Sequence, residues 1–477
     1  MLEPHRRPPL TSAAALGNDG WAAAGDYPPH GSADADRSAA CSAGRTPLVA
    51  GLLLGLLAIF WVVEHRTIYA NSAIADVAER DIRDEYIDQI ESGHWERQIA
   101  LLVLGVGGLA ALLGSGPAPW RVRWGVAAPL VLLLGWASLS VAWSEQPGVT
   151  LKRLVVLGCV LAGAAGLARR FTPGQILTGA LLSLSAFVCV SVAVDVAHGG
   201  GPWSGGDYRF GGTLHPNAQA AYLGTLCLAA YCQPIGFGGR WLLRAMFFGS
   251  FALLLATRSR TGLVALLVAL VVVGTLRLPG RVRWAGVALL VAAVAAVTIY
   301  FASVGDGARN RAVDAALLGR TEQAGTLTGR VPLWEELLSI AERRPLTGYG
   351  YEGFWTPDRI AEIMKSQNWS IQSAHNAYLD IALELGVVGL ALGVWVLVAG
   401  GATLVAAYDQ TRDAGYAFAV GVVTLAAANS LLESLFTDIR YPPAIGVCAL
   451  LSAALWFPTQ PEPADPPARP RALPDFA

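Results

Sequence analysis

Hydrophobic and polar positions along the chain sort into long, solid apolar runs joined by short polar connections. The runs lie at 47–63, 98–114, 124–143, 151–168, 174–194, 217–234, 241–257, 262–276, 283–303, 377–406, 414–432 and 441–457. Most have about the 17–25 residues that an α-helix needs to cross a bilayer core roughly 30 Å thick. They are built of Leu, Ala, Val and Gly, without the period-2 alternation of a lipid-facing strand. The pattern predicts an all-α, polytopic integral membrane protein of about 12 transmembrane helices. The tenth run, 377–406, is longer than one crossing requires, so it is expected to tilt or break.

The polar stretches set the organisation. Residues 1–46, rich in Ala, Pro, Gly and Asp, read as a disordered cytoplasmic tail rather than a secretory signal. Residues 47–457 form the membrane domain, and the Pro-rich 458–477 reads as a second cytoplasmic tail. Short connections carry Arg121 and Arg123, Arg169 and Arg170, Arg240 and Arg244, Arg277, Arg281 and Arg283, then Arg412. By the positive-inside rule they face the cytoplasm, with both termini. The two longest connections, 64–97 and 304–376, then face outward, and the second makes a large extracytoplasmic loop between spans nine and ten. Within it, "TGRVPLWEELLSIAERRPLTGYGYEGFW" predicts an amphipathic helix lined by Val331, Trp334, Leu337, Leu338 and Ala341, stopped by Pro345 and followed by a glycine turn. The 64–97 loop reads as a surface helix on the membrane.

Composition agrees. The chain is 54% hydrophobic and 14% charged, where soluble domains carry roughly 25% charged residues. A net charge of −1 argues against a nucleic-acid partner. Cys159, Cys189, Cys227, Cys232 and Cys448 lie in or beside apolar runs, and no metal-ligand spacing appears, so neither a disulfide framework, a metal site nor a cofactor is expected.

Candidate chemistry gathers at the outward ends of the helices. "GGDYRFGGTLHPNAQAAYLG" places Arg209, His215 and Asn217 before the sixth span, with Pro216 suited to the first helical turn. "ATRSRTGLVAL" places Arg258 and Arg260 in a short outward turn, against the positive-inside bias. Arg330 opens the amphipathic helix, and His375-Asn376 stands at the lip of span ten. Each has a plainer reading. Arg258 and Arg260 could snorkel to lipid phosphates; His215 could cap its helix, and Asn217 could cap or cross-link helices. Arg330 could anchor its helix, while Tyr349 and Trp355 read as packing residues and His65 and His94 as solvated. Taken together, arginines bind phosphate oxygens bidentately, and histidine accepts a proton near neutral pH. That set suits transfer of a group from a pyrophosphate leaving group to a hydroxyl, with a membrane-borne pyrophosphate as the activated donor.

Here the chain resembles the O-antigen ligase and polymerase superfamily of lipid-linked glycan transferases. "HNAYLDIALELGVVG" carries the family's histidine, small polar residue and later Gly-x-x-Gly at His375, Asn376, Gly386 and Gly389. "SRTGLVALLVAL", "GTLHPNAQAAYLG" and "GRVPLWEELLSIAERRPLTGYGYEGF" resemble its Ser-Arg helix start, its His-Pro-Asn helix start and its outer-loop Arg–Trp helix with glycine turn. The resemblance implies an inverting, metal-independent glycosyltransfer in the inner membrane, at its extracytoplasmic face. The donor would be an undecaprenyl-pyrophosphate-linked glycan and the acceptor a sugar or lipid-borne hydroxyl. His375 would be the general base. Arg260 and Arg209 would neutralise the pyrophosphate, with Arg258, Arg330, His215, Asn217 and Asn376 in substrate binding. An O-antigen ligase is the first expectation and an O-antigen or exopolysaccharide polymerase the alternative. The short tail after the last span disfavours a protein-glycosylating branch. A flippase or other transporter of lipid-linked sugars should show internal repeats and midplane polar groups, and neither stands out. An inactive assembly partner would not need the His375-Asn376 motif.

Overall fold

The computed structural model describes residues 95–113, 122–197, 199–201, 208–234, 239–283, 285–286, 330–367, 371, 373–434, 446–447 and 449–451. The tails, the expected first span, most of the 64–97 loop, residues 304–329, nearly all of the expected ninth span and most of the twelfth lie outside them. Among the described residues every regular element is helical: α1 Trp95–Leu113, α2 Trp124–Leu139, α3 Pro147–Arg170, α4 Pro173–Ala197, α5 Pro216–Cys232, α6 Gly239–Ala256, α7 Arg260–Thr275, α8 Arg330–Ala341, α9 Pro357–Gln367, α10 Ala377–Thr411 and α11 Ala414–Asn429. The second to eighth, tenth and eleventh expected runs each coincide with one of these helices. Among the described residues five segments are long and apolar enough to cross a membrane: 124–142, 147–170, 173–197, 239–256 and 377–411. Shorter apolar helices lie at Gln98–Leu113, Arg260–Thr275 and Ala414–Asn429. The chain is a multi-pass membrane protein.

Burial sorts the helices by depth in the bundle. Helix α5 is buried around nearly its whole circumference, from Gln219 to Cys232, and α11 is buried almost as completely. A helix apolar all round belongs at the centre. On α6 only Leu243, Ser250 and Leu254 are buried, so its remaining apolar surface faces outward. Where α1 crosses α3, a Cβ on Gly108 would fall 2.3 Å from the Ala162 carbonyl oxygen. Small residues are what let two membrane helices approach that closely.

The arginine-bearing connections lie together at one end of this bundle. Arg283 forks onto both carboxylate oxygens of Asp409 at 2.8 Å, beside the end of α7. Arg412 follows α10, and Gly415 of α11 packs on Pro173, just after Arg169 and Arg170. At the opposite end, α8, α9 and the segment between them form a small lobe. Its core is Leu333, Leu337, Tyr349, Phe354, Ile363, Ile371, Ala374, Leu379 and Leu383. This differs from the expected face of α8. Leu338 is 52% exposed, while Leu333 and Ile340 turn inward with Trp334 and Ala341. The helix is rotated because its partner is the glycine turn and the start of α10, not the bilayer.

The long tenth run does break. Gly386 has φ 69 and ψ −173 inside α10, and four backbone groups beside the break find new partners. Leu383 O accepts from Tyr349 N at 2.9 Å, and Glu384 O from Gly350 N at 2.8 Å. Leu385 O accepts from Trp136 Nε1 at 2.9 Å, and Val387 N donates to Pro345 O at 2.8 Å. The turn at 345–350 thus inserts into the break, where lipid could supply no hydrogen bonds. Trp143 Nε1 donating to Thr347 O at 3.0 Å ties the turn to the α2–α3 connection.

Candidate functional site

Four element ends converge beside the small lobe: the starts of α5 and α8, the turn before α10 and the turn after α11. The residue that joins them is Glu433, whose side chain is 16% exposed. Its Oε1 accepts from Arg330 NH2 at 2.7 Å and from Asn217 Nδ2 at 2.8 Å. Its Oε2 lies 3.3 Å from His375 Nδ1. Behind Asn217, Arg209 NH2 donates to Asn217 Oδ1 at 3.0 Å, and Arg209 Nε donates to Thr257 O at 3.0 Å. Burial pushes the Glu433 carboxyl up, but the hydrogen bond from His375 and the Arg330 charge outweigh it and hold the group below its ordinary value.

The sequence builds each position locally. His215 precedes α5, and its Nδ1 accepts from Asn217 N at 3.3 Å, a helix cap. The Asn217 side chain, on the same first turn, reaches Glu433. Asn376 caps α10, accepting from Tyr378 N at 3.0 Å and Leu379 N at 3.2 Å. His375, just outside the cap, has φ 48, a left-handed conformation that a histidine holds only when its surroundings fix it. Two contacts do so: Ala377 N donates to Ser430 O at 3.0 Å, and Ala374 N donates to Asp380 Oδ1 at 3.0 Å.

Asp380 is 2% exposed. Besides Ala374 it receives Trp355 Nε1 on Oδ1 at 3.0 Å and Ser434 Oγ on Oδ2 at 2.5 Å. One carboxylate therefore clamps the neighbour of His375 and the neighbour of Glu433. One turn into the bundle, Gln219, Asn429 and Ser430 are buried with side-chain atoms lacking a hydrogen-bond partner among the described residues. The base of the site is polar.

Of the residues singled out from the sequence, His375, Arg330, Asn217 and Arg209 form one connected network. His215 and Asn376 border it as caps. Arg260 is the first residue of α7, which Ser259 caps by accepting from Gly262 N at 3.3 Å. It lies three positions along the chain from Thr257, whose carbonyl accepts from Arg209. Arg258, exposed and with φ 52, stands at the lip beside it. Tyr349 and Trp355 are packing residues, in agreement with their plainer reading. Glu433 and Asp380 escaped the sequence reading. A carboxylate directly after an apolar helix was a signal for Glu433. For Asp380 it was a carboxylate one turn inside one.

When imidazole Nδ1–H donates to a carboxylate, Nε2 keeps its lone pair and can take a proton. An imidazole held by a carboxylate that also binds a guanidinium, at one end of a helical bundle, has the chemistry to take a proton from a hydroxyl.

Comparison with known proteins bears on what that chemistry serves. Residues 245–394 match the O-antigen ligase family, a stretch that runs from α6 into α10 and includes Arg258, Arg260, Arg330 and His375. The Exopolysaccharide production protein ExoQ of Rhizobium meliloti (strain 1021) is 25% identical over 283 residues, covering 55% of this chain and 61% of that protein.

Proposed function

We propose, from the likeness to the O-antigen ligase and polymerase superfamily, that this chain is a membrane glycosyltransferase of cell-surface polysaccharide biosynthesis. It moves a glycan from an undecaprenyl-pyrophosphate donor to a hydroxyl acceptor at the extracytoplasmic face of the inner membrane. The observation that carries the reading is the network in which Glu433 joins His375, Arg330 and, through Asn217, Arg209.

In this reading each group has a task. Glu433 orients the His375 ring so that Nε2 receives the acceptor proton. The acceptor oxygen attacks the anomeric carbon from the face opposite the pyrophosphate. The bond from the anomeric carbon to the pyrophosphate oxygen breaks, the pyrophosphate leaves with that electron pair, and the configuration inverts. Arg258 and Arg260, with Arg209 behind them, supply the positive field where that charge develops. Electrostatic stabilisation of this kind is usually the largest catalytic contribution. Arg330 is drawn away by Glu433, so it serves the base more than the leaving group. The polymerase reading, in which the acceptor is the end of a second lipid-linked chain, is supported by the relative named for exopolysaccharide production.

The direct test reconstitutes the full chain in proteoliposomes with an undecaprenyl-pyrophosphate oligosaccharide and no nucleotide. The expected products are free undecaprenyl pyrophosphate and a lengthened or newly attached glycan. Movement of uncleaved donor between leaflets, without new glycosidic bonds, would establish a transporter instead.

Asp380 enters as a positioning residue. Asp380→Asn replaces an acceptor of three hydrogen bonds by a group half of which donates. Because a misplacement of about 1 Å can cost 10²-fold, kcat is expected to fall by roughly that factor while the donor KM changes little. A loss confined to protein yield, with kcat of the surviving protein intact, would reduce Asp380 to a folding role.

A further inference from the structure

Away from His375, the small lobe bears a cavity of about 420 Å³ that the mechanism does not use. Its walls bring three guanidinium groups, Arg343, Arg344 and Arg359, opposite three carboxylates, Glu145, Glu336 and Glu362. The floor is rigid. Arg359 NH2 lies 2.7 Å from Glu145 Oε2, and Arg344 NH2 lies 3.3 Å from Glu145 Oε1. Both guanidinium groups pack over the Tyr349 ring, at 4.7 Å and 4.6 Å from its centroid, and the Tyr349 hydroxyl donates to Ile340 O at 3.0 Å. Glu336 is held by Ser366 Oγ at 2.6 Å and Gln367 Nε2 at 2.7 Å. Arg343 and Glu362 stand exposed at the rim.

The lining selects a chemistry. Charges of both signs are matched, so a simple anion or cation meets as much repulsion as attraction. The walls are mainly polar, so an apolar chain gains little there. A polyol suits it, because each hydroxyl can accept from a guanidinium and donate to a carboxylate. The volume falls within the range of small-ligand sites. The position matters too. Arg330, at the start of α8, reaches Glu433, whereas Ile340, at its other end, lines the cavity. At 1.5 Å per residue these points are roughly 15 Å apart.

We propose that this cavity is a remote glycan subsite, which grips sugar units of the polysaccharide some way from the bond being made. The proposal rests on the glycosyltransferase reading above and adds where the chain is held. A grip that is equally strong in the ground and transition states lowers KM for long glycans without changing kcat.

The test uses full-length protein in nanodiscs and fragments of one, two and four repeat units cut from the host's own polysaccharide. Ser339→Trp fills the cavity, and the paired change Arg343→Ala/Glu362→Ala strips its rim. All three positions are exposed, and thermal unfolding verifies that the variants are folded. Four-unit fragments are expected to bind wild type and His375→Ala alike, and at least tenfold more weakly to both cavity variants. In transfer assays the cavity variants should raise KM for long glycans with kcat unchanged. Wild-type binding and KM in both variants, with transfer active, overturns the subsite and leaves the enzyme reading standing. Cavity-dependent fragment binding without any donor cleavage by wild type does the reverse.

Discussion

His375→Ala is expected to lower glycan transfer by about 10²–10⁴-fold, the usual contribution of a positioned general base, with the protein still inserted and the donor still bound. Glu433→Gln should come close to it. Glutamine keeps the shape but presents an amide where Nδ1–H, Arg330 and Asn217 all seek an acceptor. A triad-type histidine whose carboxylate partner becomes an amide loses up to about 10⁴ in rate. The two changes should not add: once the base is gone, its orientation is irrelevant, so the double variant should match His375→Ala alone. Additive losses in kcat would show that Glu433 acts by a separate route, as an anchor for Arg330.

Glu433 also carries a pH signature. Its carboxyl is held below the ordinary value of 4.5. Its stabilising contribution is therefore complete above that value and disappears as pH falls through the lower, folded one. Thermal stability of the wild type should drop on that acid side, and Glu433→Gln, already less stable at neutral pH, should lose less there. Parallel curves for the two proteins would mean that the carboxylate does not titrate with folding.

The largest stability effect is expected from Gly386→Ala. Its φ of 69 is unfavourable for any side chain, and an added Cβ would sit 2.2 Å from Leu346 O, a backbone atom. Strain and overlap together should cost about 3–5 kcal/mol. They should also expel the 345–350 turn that satisfies the carbonyls at the break. Gly393→Ala, on the same helix with no atom within 4 Å of the new Cβ, is the control and should be nearly neutral. The measurement is the thermal midpoint in detergent, followed through Trp136 and Trp143, which hold the turn and the break. Equal midpoints for the two variants would mean that the break tolerates a side chain and is not locked by the turn.

The separation of local from long-range information is visible residue by residue. The apolar runs are written in consecutive residues, because a membrane helix satisfies its own backbone and needs only length and hydrophobicity. For the same reason the excess length of the tenth run called for a tilt or a break, and the His-Pro-Asn and His375-Asn376 stretches marked helix starts. Side-chain type alone also suggested phosphate binding for the arginines and proton acceptance for the histidine. What only the tertiary structure decided is which of these groups meet. Glu433 lies 58 positions from His375 and 216 from Asn217 along the chain, so no local pattern links them. Which face of α8 turns inward and which carbonyls the break exposes to the 345–350 turn were likewise set by packing between distant segments. The clamp that Asp380 places on both sides of the site has the same origin. Hydrophobicity and helix propensity act over neighbouring residues, whereas a hydrogen bond between helix ends exists only once the bundle has brought those ends together.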